Sequence, residues 1–75
     1  MDEAVAKWQG WQQAHQQALE ALQAAEAAYH RLRIEQAFGR EDDESRSRRK
    51  DLLVRLDELR TRLDEIREQQ PPWPY

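Results

Sequence analysis

Phe38-Gly39-Arg40-Glu41-Asp42-Asp43-Glu44-Ser45 is the stretch that decides the fold. Between Gly39 and Glu44 it holds no apolar side chain, and its glycine accepts a left-handed backbone without cost, as a helix C-terminus needs. Apolar residues recur at helix spacing on both sides of it. Upstream they are Ala4, Trp8, Trp11, His15, Ala18, Leu22, Ala25, Tyr29 and Leu32; downstream they are Leu52, Leu56, Leu59, Leu63 and Ile66. Steps of four and three keep residues on one side of an α-helix. The chain is therefore expected to be all-α: a long antiparallel two-helix hairpin carrying an extended, proline- and aromatic-bearing C-terminal tail. One domain covers residues 1–75, with helix one over about 3–38, an acidic loop over about 39–44, helix two over about 45–70 and the tail over 71–75.

Local chemistry sets the ends. Asp2 places an acceptor and a negative charge at the first helix N-terminus, and Asp42, Asp43 and Ser45 offer the same at the second. Pro71 and Pro72 stop the second helix, because proline lacks the amide donor. Gly10 costs a helix about 1 kcal/mol relative to alanine and is read as a tolerated surface glycine. On the outer side of the second helix, Asp51/Arg55 and Glu58/Arg62 are spaced for ion pairs with the acid first. Folding back about the acidic break brings Leu32 towards Leu52, Tyr29 towards Leu56 and Leu22 towards Leu63. The second helix is then spent, so Trp8 and Trp11 extend past it, at the end where the tail Pro71-Pro72-Trp73-Pro74-Tyr75 arrives.

Composition narrows the function. Charged residues make up 36% of the chain, and there is no cysteine, which excludes disulfides and thiolate metal sites. A core this small supplies about 3–5 kcal/mol at most without a staple, which leaves association as the route to more. No run approaches the roughly 20 apolar residues of a membrane span, and no basic-plus-apolar leader opens the chain, so secretion by a signal peptide is not expected. The net charge of −3 argues against nucleic acid as a partner through bulk electrostatics.

Residues with catalytic potential are scattered. His15 and His30 lie about four helical turns apart and cannot share a metal. Ser45 and Ser47 have no histidine nearby in sequence, and Glu41 to Glu44 lack the alternation and glycine of a calcium loop. No catalytic, cofactor or metal site is expected. Arg46, Arg48, Arg49 and Lys50 form the basic run, read first as a mixed-charge helix entry and second as a contact for phosphate or an acidic partner. The expected protein-binding residues are Trp8, Trp11, Trp73 and Tyr75, since tryptophan and tyrosine are enriched at hot spots and a proline-rich tail loses little entropy on docking. Two placements of the tail are open: back onto Trp8 and Trp11 of its own chain, or, the placement slightly favoured, into a neighbouring subunit or partner.

The segment Leu22-Gln23-Ala24-Ala25-Glu26-Ala27-Ala28-Tyr29-His30-Arg31-Leu32 resembles the first helix of the phage head–tail joining protein W family of the lambda type. Ser47 through Ile66, with Asp51-Leu52-Leu53 and Asp57-Glu58-Leu59, resembles its second helix. The likeness covers about the last two thirds of the chain. The family places a glycine-containing β-hairpin between its helices, whereas Gly39 to Ser45 is acidic here, and Trp8 to Gln17 is an extension rich in Gln and Trp. The resemblance implies a non-enzymatic structural protein of the virion neck, found in the virion or host cytoplasm, in a homo-oligomer or ring and with portal and tail proteins as partners. The alternative is a small coiled-coil-like regulator or inhibitor of another protein.

Overall fold

A computed structural model describes residues 2–39 and 42–75; Met1, and Arg40 and Glu41 of the acidic connection, lie outside the described residues. Two helices, α1 (Glu3–Ala37) and α2 (Asp43–Glu68), form a hairpin of 57 × 16 × 13 Å. Among the described residues there is no strand.

Each end has the chemistry that its sequence provides. Asp2 sits in extended backbone and accepts the Ala4 amide at 3.0 Å, which starts α1 at Glu3. The Phe38 amide donates to Ile34 and Glu35 carbonyls, the Gly39 amide donates to Gln36, and Gly39 takes φ +90°. Only glycine adopts that angle without strain. Asp42 accepts the Ser45 amide at 2.7 Å, and this bond holds its carboxyl below the usual aspartate range. Capping by Asp42 starts α2 at Asp43, two residues before the expected 45. At the other end α2 stops at Glu68 rather than 70, because Gln69 is the C-cap and Gln70 precedes a proline. Helix α1 stops at Ala37, one residue before the expected 38. It continues through Gly10 unbroken, and a Cβ there would meet nothing within 4 Å.

Ala18, Leu22, Leu56, Leu59 and Leu63 form the buried core, flanked by Leu19, Ala21, Ala25, Tyr29 and Ile66. Leu32 is buried nearer the loop and lines a cleft with Leu52. Beyond it the seam turns polar: Arg49 donates to Gln36 Oε1 at 3.4 Å. The expected first stripe holds from Trp8 to Leu32, but Ala4 is exposed. Helix α2 runs out before reaching it, so no second surface covers that turn. None of the described side chains is completely shut off from solvent, as expected for a layer two helices wide.

Candidate protein-binding site

Trp8 and Trp11 stand three residues apart on α1 and so share a side of the helix. Their ring centroids are 5.3 Å apart, and Trp11 stacks on His15 at 5.1 Å with 27° between planes. Opposite them α2 ends. Its last carbonyls have no intrahelical amide to accept. Ile66 O accepts the Gln69 amide at 3.1 Å and the Trp11 indole Nε1–H at 2.7 Å. Trp11 therefore lies alongside the last turn of α2 and caps it from the other helix, where the sequence placed it beyond that turn. The capping role went unread in the sequence; its signal is a stripe tryptophan facing a helix C-terminus once the register is known. Arg67 Nε approaches His15 Nε2 at 3.5 Å.

Trp8 is the residue that extends towards the tail. Trp73 meets it edge-on, with centroids 4.8 Å apart and planes at 85°, and Trp73 in turn contacts Tyr75 at 5.5 Å. Edge-to-face aromatic pairs of this kind contribute about 0.5–1.5 kcal/mol beyond area burial. The tail thus folds onto its own chain, the placement that the sequence slightly disfavoured. Docking stays incomplete: Trp73 is 63% and Tyr75 81% exposed. The Trp8 Nε1–H is buried with no acceptor, a cost of about 1–3 kcal/mol. The structure brings all four expected aromatics to one end, in one chain of ring contacts that runs Trp11, Trp8, Trp73, Tyr75.

The basic run does not form one patch. Successive residues turn by about 100°, so Arg46, Arg49 and Lys50 fall on one side while Arg48 points to the opposite one. Arg48 pairs with Glu44 at 3.2 Å, and Arg49 is half-buried against Gln36. Along α2, Arg55 approaches Glu58 at 3.7 Å, three residues on, rather than Asp51, and the pair lies towards the cleft between the helices rather than on the outer side that its spacing suggested. His30 is exposed at the edge of Tyr29. Among the described residues no cluster of three His, Cys, Asp or Glu side chains could hold a metal ion, and no helix is long and apolar enough to cross a membrane.

A second feature was not visible in the sequence. A cleft of about 660 Å³ runs between the helices on one broad face, lined by Ala14, Gln17 and Ala21 of α1 and by Arg55, Glu58, Arg62 and Glu65 of α2. It meets, at Ala14, a shallower cleft of about 350 Å³ lined by Gly10, Trp11, Ile66 and Pro71. Small side chains on α1 beside long ones on α2 leave this trough. No protein-family model matches the chain, and neither a curated protein nor a solved structure matches it.

Proposed function

We propose that this protein is a non-enzymatic assembly module that docks onto another protein surface through its aromatic end. The observation that carries the reading is the half-finished packing there: Trp73 and Tyr75 are held out by Trp8, preorganised and still mostly exposed. Large rigid aromatics fixed in advance bind at low entropic cost. The finer form, a phage neck subunit that joins copies of itself to portal and tail proteins, rests on the resemblance of Leu22–Leu32 and Ser47–Ile66 alone. In that form the protein belongs to the virion.

The test is truncation after Gln70 beside the milder pair Trp73→Ala and Tyr75→Ala. Helix content by circular dichroism stays near that of the full chain, since residues 71–75 are not helical, while assembly beyond a dimer, or partner capture, is lost. Normal assembly of the truncated chain refutes the docking role. A large closed oligomer, or copurification with a portal, favours the neck subunit. A one-to-one complex with a single partner favours the regulator.

A further inference from the structure

We propose that two copies of the hairpin pack antiparallel, cleft face against cleft face, as a two-fold symmetric dimer. The first argument is area. The protein exposes 6077 Å², whereas a compact monomer of 9.0 kDa exposes about 4,900 Å². The excess, about 1,200 Å², exceeds the roughly 800 Å² that each partner buries in a stable interface. A flat two-helix layer has surplus surface on its broad faces, and the cleft occupies one of them.

The second argument is charge. The charged residues lining the α2 side of the cleft are Arg55, Asp57, Glu58, Arg62 and Glu65. Four of them, Arg55, Glu58, Arg62 and Glu65, fall within about 80° of one another around the helix, are symmetric about residue 60 and are opposite in sign across it. An antiparallel copy of α2 therefore sets Arg55 against Glu65 and Glu58 against Arg62, each pair occurring twice. A symmetric interface must be self-complementary in this sense. All four side chains are exposed and able to meet a partner.

The α1 wall has the matching symmetry. Ala14, Ala21 and Ala28 are seven apart, which keeps them on one flank of the helix within about 20° per step. Ala14 and Ala21 line the main cleft and Ala28 the cleft nearer the loop. They are symmetric about Ala21. The contacts Trp11–Ile66 and Gln36–Arg49 bracket the level of Ala21 on α2 between about residues 56 and 64, a span centred on Arg60. One two-fold axis thus serves both helices, passing near Ala21 and Arg60. It sets Ala14 against Ala28 of the second copy and Ala21 against itself, where small side chains allow close approach.

This interface is separate from the aromatic end, and the experiment distinguishes the two. Sedimentation equilibrium of the full chain from low micromolar to near-millimolar concentration should give twice the 9.0 kDa mass. Glu58→Arg sets cation against cation twice in the dimer and should raise its Kd about tenfold or more. Arg62→Glu should do the same, and the double swap should restore the dimer. Because the chain has no cysteine, Ala21→Cys gives a clean second readout. With oxidised glutathione as oxidant it should form an intermolecular disulfide, while Gln23→Cys, about 200° around the helix, should not. Trp73→Ala with Tyr75→Ala should leave the dimer intact. A monomer at every concentration overturns the proposal. So does a dimer indifferent to the charge swaps, or one abolished by the tail substitutions alone.

Discussion

Trp8 and Trp11 are neighbours of the same type on the same helix, yet their replacement by phenylalanine should have opposite consequences. Trp11→Phe removes the 2.7 Å bond to Ile66 O, for a net cost of about 0.5–1.5 kcal/mol. It also gives up part of the indole area, roughly 0.5 kcal/mol for a half-buried ring. The total is about 1–2 kcal/mol out of a stability near 3–5 kcal/mol. For a domain of this size that lowers Tm by about 5–15 °C. Trp8→Phe gives up similar area but no hydrogen bond, because Trp8 Nε1 has no acceptor. It removes a buried donor whose desolvation costs about 1–3 kcal/mol, so its Tm should hold or rise. The assay is thermal unfolding at 222 nm at one fixed protein concentration, since association shifts apparent stability. Equal losses for the two variants, or a Trp11→Phe indistinguishable from the parent, would refute the assignment of Trp11 as the cap of α2.

Leu59→Ala, at a side chain 5% exposed in the core, should cost about 2–4 kcal/mol, the larger part of a stability near 3–5 kcal/mol, read as a fall in Tm of about 10–30 °C by far-ultraviolet circular dichroism. Gly10→Ala should stabilise by about 0.8–1 kcal/mol, seen as a higher Tm, because the added methyl meets nothing within 4 Å. The Asp42 carboxyl titrates below its ordinary value because it accepts the Ser45 amide. Its contribution is therefore present above the unfolded-state pKa and lost as pH falls through the lower folded-state value. Melts from neutral pH downwards should show this loss beginning near pH 3.8, and Asp42→Asn should flatten that part of the profile.

The hairpin was legible because two stripes of fixed period flank one polar break with a glycine, and because Asp2 and Asp42 have few other uses at helix starts. Periodicity speaks only to which side of a helix faces inward. It cannot say where a facing helix stops, and so Ala4 was assigned to a seam that α2 never reaches. The aromatic gathering followed from the unequal helix lengths. The indole cap on Ile66 did not, since it depends on which turn of α2 comes to face Trp11 once the helices pack. The basic run looked like a patch in one dimension; in three, Arg48 turns to the opposite side to pair with Glu44 and Arg49 leans into the seam against Gln36. The cleft escaped notice because alanine on α1 and arginine or glutamate on α2 are each unremarkable alone. Only their juxtaposition leaves a trough.

All three tryptophans, Trp8, Trp11 and Trp73, lie at the extremity farthest from Gly39. Chain closure is cheapest beside the turn and dearest there, where the two strands of the ladder are separated by more than fifty residues of backbone. Intrinsic emission from this protein is accordingly a gauge of its fraying tip, not of the molecule as a whole. When the rod unzips on heating, the indoles should feel water before the backbone signal falls, and the interval between those two events measures how firmly the tip is latched.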